Sequence, residues 1–438
     1  MNMQTLDDAG KLDLDFGTAG VVSIINFNYP SINITGVQIG PDKKIYVAGK
    51  VEGGSDPESA FVLGRFDADG TLDLDYGVSG FAHWVYDDFD IDGVESFAFQ
   101  ADRKVVVNCT VRNSVGQQVA AFSRVGVDGW IDLDFGTNGH TVLNIELSPP
   151  AKRTAPINLA AKQENRSLHA NGPGGSRNGV EILKDGKILA SFSYFFNFSQ
   201  VHGLLIRLNK NGSLDLSFNQ IGYITVIHPD YLLDVTVLSN LMVQADGKYL
   251  GCGWVFGPST ASAAMFVRYD DTGKPDPTFG ANGFVTVTGE GIEHFVNFMV
   301  QQPNQRILGG GSTQGDEALL ISIEPDGSPN IQFNGGKPLY TDLNPGALTL
   351  WFDAAIQKDG KIVVAGGLGE PNNQVDIVVA RFIDAQFDPA FNDGKGWVAT
   401  HLQDGTEYAN GLTLQEDGKI LICAKLPNGQ SALLRYHG

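Results

Sequence analysis

Residues 65–80, R-F-D-A-D-G-T-L-D-L-D-Y-G-V-S-G, return in altered form through nearly the whole chain, and this repetition constrains the fold more than any other property. The aromatic that closes the unit falls at Phe16, Tyr76, Phe135, Phe218, Phe279, Phe333 and Phe391, with steps of 60, 59, 83, 61, 54 and 58. A D-G-K-type turn interleaves with it, ending at Lys44, Lys104, Lys187, Lys248, Arg306, Lys361 and Lys419. A fixed period of this length marks a repeat array, in which each unit buries its apolar face only against its neighbours.

Each full unit reads as four strands, the first set at roughly 36–39, 44–49, 60–66 and 71–84. Alternation and β-branched residues favour strands, P-D-K-K and D-A-D-G supply hairpin turns, and no stretch has a helical period. Residues 7–24 are the second half of a unit and residues 411–436 the first half, so the two ends complement each other. The expectation is an all-β fold: a seven-bladed β-propeller of four-stranded antiparallel blades, closed when the N-terminal strand joins the C-terminal blade. Residues 1–438 then form a single domain.

The pattern D-G-K-I-x-V-x-G, followed by A-L-x-R-F-x-x-D-G-x-L-D-x-x-F-G-x-x-G, resembles the delta-60 repeat of bacterial β-propellers. That family's molecular function is largely uncharacterised, so the resemblance implies a fold and no reaction. It departs in the fifth unit, where P-N-Q-R replaces the turn, and in the sixth, where Asp384-Ala385-Gln386 lacks the turn glycine. The 83-residue step holds a long loop insertion between blades, residues 144–176, locally basic with Lys152, Arg153, Lys162 and Arg166. It reads either as a surface insertion or as a lid or partner arm.

Net charge is −20, which repels nucleic acid and anionic membranes. No segment is apolar and long enough for membrane insertion, and no Sec signal is read at the N-terminus, leaving cytoplasmic residence or export by a signal-independent route. Cys109, Cys252 and Cys423 each sit in a different unit, where Ala48 and Ala365 stand elsewhere, so they read as small buried side chains.

The most regular polar pattern joins Arg65 to Asp73, Arg124 to Asp132, Arg207 to Asp215 and Arg268 to Asp276 at eight residues, and Arg381 to Asp388 at seven. Arg435 should meet Asp13 across the closure. In the fifth unit Ser322 and Asn330 replace both partners at once, as expected of paired struts rather than a catalytic set.

The loops between blades are longer than the turns at the other end, so that face is the expected binding surface. Trp84, Tyr86, Phe196, Trp254, Phe256, His294 and Trp351 fall on or near it, either to stack on sugar rings or to close the core between blades. Asp88, Asp90 and Asp92, with Gly93, form D-x-D-x-D-G, a spacing that suits calcium or a solvated acidic loop. No other cofactor is expected. No catalytic residues emerge, since no H-E-x-x-H, G-x-S-x-G or P-loop is present. The leading expectation is a non-catalytic binding module that presents the long-loop face to a carbohydrate or protein. The alternatives are a lyase or hydrolase of polysaccharide with a site over the central channel, and a protein-interaction scaffold.

Overall fold

The computed structural model describes residues 8–25, 31–52, 60–147, 179–197, 200–231, 235–257, 262–289, 291–370 and 374–438. The chain is an all-β propeller; among the described residues there is no α-helix, only short 3-10 turns such as Pro229–Tyr231. The 144–176 insertion lies, from residue 148 onward, outside the described residues.

The expectation of a seven-bladed propeller of four-stranded blades is overturned by the strand pairing, which shows five blades and not seven. Five blades stand as separate sheets, four of them with four strands and one with five, while a sixth sheet is continuous over eight strands. In the large sheet the strand Tyr223–Val226 covers residues 203–206 of its neighbour Gln200–Leu208. The uncovered end of that neighbour then bridges in parallel from Val201 to Val235, at the start of the next inner strand. The fifth strand elsewhere is the two-residue Gln386–Phe387, pairing at Phe382 and Ile383 where the sixth unit lacks its turn glycine.

Val21–Ile24 pairs antiparallel with Ser431–Tyr436, so one sheet contains both the first and the last strands. The inner strand Tyr408–Leu414 of that sheet packs against Ser31–Ile39 of the next, which closes the ring. The apolar clusters lie between blades: one contains Tyr46, Ala48 and Leu63 from one blade with Val94, Phe97 and Val107 from the following one. Cys109, Cys252 and Cys423 are buried free thiols within these layers. The closing aromatics Phe16, Tyr76, Phe135, Phe218, Phe279 and Phe391 are fully buried. Each such burial stabilises the ring by roughly 1.5–3 kcal/mol.

The glycine after the closing aromatic has a steric reason. Gly77 sits at φ +55°, and a Cβ there would run into the carbonyl oxygen of Phe81. Its N–H donates to Asp128 O of the next unit at 2.8 Å, so the turn of one blade is held against the next.

Six of the inner strands carry a one-residue bulge at the same place, at Thr35, Glu95, Ser239, Asn297, Phe352 and Asn410. A bulge leaves its extra residue out of the ladder and re-aims it. Thr35 uses this freedom to donate to Val94 O at 2.8 Å, and Asn410 to donate to Ile34 O at 2.7 Å, in each case on the next blade.

Candidate functional site

At the end of the ring that holds the short turns, Arg65, Arg124, Arg207, Arg268, Arg381 and Arg435 donate through Nε to Asp73, Asp132, Asp215, Asp276, Asp388 and Asp13 at 2.6–2.8 Å. Each aspartate also meets the D-G-K lysine of its unit, from Lys104 to Asp132 at 2.7 Å up to Lys361 to Asp388 at 3.4 Å. The guanidinium lies over the closing aromatic, 4.4 Å from the Tyr76 ring for Arg65 and 4.5 Å from Phe16 for Arg435. Arg65 Nη1 donates to Val127 O of the next unit at 2.8 Å, and Arg435 Nη1 to Ala68 O at 2.6 Å. One cluster therefore ties two strands, an aromatic and the following unit. Burial of Asp215 opposes its ionisation, but bonds from Ser217, Lys187 and Arg207 outweigh that and hold its pKa well below the usual carboxylate range. In the fifth unit Asn330 Nδ2 donates to Ser322 Oγ at 3.0 Å, a neutral version of the same link.

The aromatic residues singled out in the sequence lie mainly in the core. Tyr86, Trp254, Phe256, His294 and Trp351 are buried, and Trp84 is half-buried against Trp130. The side chain of Phe196 lies outside the described residues. Tyr86 accepts from Ser123, His294 bonds Val287 O and the Tyr340 hydroxyl, and Trp254 meets Phe295 edge to face. Their faces are covered by neighbouring strands, so they build no open stacking platform. In the acidic loop, Asp88 and Asp90 are exposed, whereas Asp92 accepts from Arg112 Nε at 3.1 Å and Nη2 at 2.8 Å, and from Gln118 at 2.7 Å. Arg112 already answers the charge of Asp92.

The inner strands bring together a set of residues that the sequence does not group. The central channel widens into a cavity of about 580 Å³ lined by the last residues of five inner strands, among them Gln38, Glu95, Phe97, Glu181, Asp353 and Thr413. These strand ends run directly into the D-G-K-type turns, so the cavity occupies the half of the channel next to the turn face, away from the long loops. Its volume is in the range of sites for small ligands. Among the described residues, no lysine or arginine lines it.

Glu95 reaches the channel because it is a bulge residue. Burial raises its pKa, partly offset by the bond that Thr110 Oγ1 donates at 2.7 Å. Glu181 stands on the short inner strand Val180–Ile182, where burial pushes its carboxyl up to about 7. At neutral pH it is therefore divided between a proton-donating and an accepting form. Asp353 Oδ2 accepts from the Leu412 backbone N–H at 3.0 Å, across to the next blade.

A sequence signal for both glutamates exists once units are aligned on the turn cation. Nine residues before it stand Thr35, Glu95, Ser239, Asn297, Phe352 and Asn410; six before it stand Gln38, Ala98, Glu181, Met242, Val300, Ala355 and Thr413. Each glutamate is the ionisable exception in its row.

On the opposite, long-loop face, Asp376, His401 and Glu407 bring their ligand atoms within 4.8 Å of one another.

The family model "Domain of unknown function (DUF5122) beta-propeller" matches residues 40–75, 183–218 and 357–382. No curated protein matches the chain. Among solved structures, it is similar to the GH93 alpha-L-arabinofuranosidase of Fusarium graminearum in complex with arabinobiose, at 11% identity over 95% of this chain and 97% of that one, TM-score 0.43. It is also similar to the polysaccharide lyase PL25 ulvan lyase bound to -[GlcA(1-4)Rha3S]-, at 12% identity over 95% and 96%, TM-score 0.45. The strand architecture and the three matched segments agree: the chain is a β-propeller, and those segments are similar to a β-propeller family of unknown function.

Proposed function

We propose that the protein is a non-catalytic binding module, a single ring of delta-60-type repeats that takes a neutral carbohydrate into the turn-side half of its central channel. The observation that carries this reading is the channel cavity itself, with Gln38, Glu95, Glu181, Asp353 and Thr413 set among Ile39, Ala98 and Leu414. Sugar hydroxyls both donate and accept, and a carboxyl group poised near neutrality can do either in return. The apolar residues suit the C–H faces of a sugar ring, and the carboxyl groups, with no lysine or arginine lining the cavity among the described residues, disfavour an anionic glycan.

One observation favours a second reading at the same place. Two carboxyl groups with raised pKa share one cavity, the arrangement from which a glycoside-cleaving enzyme draws its proton donor and its base. An array of neutral glycans, followed by calorimetry and a reducing-sugar assay on any hit, separates the two. Selective binding without product, weakened by Glu181→Gln, supports the module. Product release that disappears in Glu181→Gln supports the enzyme, and silence in both assays sinks both.

A further inference from the structure

On the long-loop face, we propose that Asp376, His401 and Glu407 form a site for a divalent first-row metal ion, Zn²⁺ or Mn²⁺, that clamps one blade to the next. Asp376 is the second residue of the strand Val375–Ile383, His401 follows the strand Trp397–Thr400 of the same blade, and Glu407 immediately precedes the inner strand Tyr408–Leu414 of the following blade. An ion held by all three would bridge the crossing between blades.

The strongest reason is a comparison of equivalent positions. Twelve residues before the turn cation stand Ile32, Asp92, Gly175, Thr236, His294, Thr349 and Glu407; of these, Thr236, Thr349 and Glu407 are fully buried and hold a crossing loop through side-chain oxygen. Each side chain accepts a backbone N–H from the loop that has just crossed between blades: Thr236 from His228 at 3.4 Å, Thr349 from Leu343 at 3.2 Å, and Glu407 from Leu402 at 2.9 Å and Gln403 at 2.6 Å. A neutral hydroxyl is enough to hold the loop. A buried carboxylate in its place adds a charge that the loop does not need and that is costly without a cation. At a further equivalent position, Asp92, the cation is Arg112.

At Glu407 the neighbours are acidic instead. Among the described residues, the ion pairs of Asp376 and Asp404 are with His401 alone, at 3.0 and 3.6 Å. An imidazole with two carboxylates matches the nitrogen and oxygen preference of Zn²⁺ or Mn²⁺ better than the all-oxygen preference of Ca²⁺. Around a tetrahedral ion with bonds of about 2.1 Å, ligand atoms lie about 3.4 Å apart. The 4.8 Å span therefore closes by a modest rotation of half-exposed His401. Gln374 already orients the set: its Nε2 donates to Asp376 Oδ1 at 2.7 Å, and its Oε1 accepts from Gly405 N at 2.9 Å. Outer partners of this kind fix metal ligands in place.

The test is calorimetry and thermal unfolding of the EDTA-treated full chain titrated with Zn²⁺, Mn²⁺ and Ca²⁺. Expected are one equivalent of Zn²⁺ or Mn²⁺ bound and a rise in Tm of several degrees. His401→Ala and Asp376→Asn, both at partly exposed positions, should bind at least tenfold more weakly while keeping the metal-free Tm. Glu407→Gln is not the decisive variant, because loss of its loop bonds alone can lower Tm. Absence of stoichiometric Zn²⁺ or Mn²⁺ binding, or binding of these ions unchanged in His401→Ala, would overturn the proposal.

Discussion

On the turn face, Asp13, Asp73, Asp132, Asp215, Asp276 and Asp388 each accept from an arginine and a lysine, whereas Glu181 in the channel has neither among the described residues. Their pKa values move in opposite directions: against burial, bonds and charges from the cations lower the aspartates, and burial raises Glu181. What separates them is the second charge. A carboxylate repeated with its cations in unit after unit is architecture; one that occurs once, uncompensated, marks a place where something else is to be met.

The hardest test of that distinction is Arg381→Met. It strips the Nε bond from Asp388, leaving Lys361 at 3.4 Å as its remaining cation. A loss of about 3–5 kcal/mol in urea unfolding is expected, as for a broken buried pair; a loss below about 1 kcal/mol would make the clusters decorative.

Glu181→Gln should act with the opposite sign. Burial holds its folded pKa at about 7 against an ordinary value of 4.5. The folded chain thus binds more protons between these values, and stability falls as pH rises through that window. The variant should be more stable than wild type at pH 8, by up to about 3 kcal/mol, with the gain vanishing below about pH 4.5. Unfolding midpoints at pH 4, 6 and 8 check this; a pH-independent difference would disprove the assignment.

The strut aspartates predict an acid limb. Their folded pKa values lie below the ordinary 3.8, so their stabilisation is complete above that pH and drains away as pH falls further. Raised salt should change this limb little, because the pairs are largely buried. Circular dichroism melts between pH 2 and 5 give the slope.

The smallest effect is expected where the comparison is repaired. Ser322→Arg and Asn330→Asp each put a lone charge into a buried neutral link, and each should destabilise. The double variant should recover most of the loss, with a favourable coupling on the order of 1 kcal/mol or more read from the cycle. Additive losses would show that the fifth unit cannot house the strut.

Much of this was legible in the sequence because it repeats. The arginine–aspartate spacing, the closing aromatics and the pairing of residues 21–24 with the last strand follow from register alone. The lysine of the D-G-K turn went unassigned, because its reach to the same aspartate spans 28 residues from Lys104 to Asp132 and depends on how the first and third hairpins lie side by side. Blade-to-blade joining at Val201 and Val235 is a single bridge, which residue types do not encode clearly. The aromatics on the long-loop side look available because periodicity places them near loops; it does not say that the preceding blade covers Trp351 and His294. Glu95 reads in the sequence as part of the acidic D-x-D-x-D-G segment, because a bulge alters facing by one residue and simple alternation assigns that residue wrongly. Glu181 stands on a three-residue strand, too short for alternation to assign its face.

The pairing of Val21–Ile24 with Ser431–Tyr436 has a consequence for the order of assembly. Asp13 and Arg435, partners in the same sheet, are 422 residues apart in sequence. During synthesis the early strand has no mate until the final one leaves the ribosome, so the ring is latched last, after the blades between have folded. The entropy of bringing such distant segments together is by then largely met by the curvature of the intervening blades. The latch is also where a pull on the two ends would act, peeling one short strand pair apart from one end before any blade is stretched.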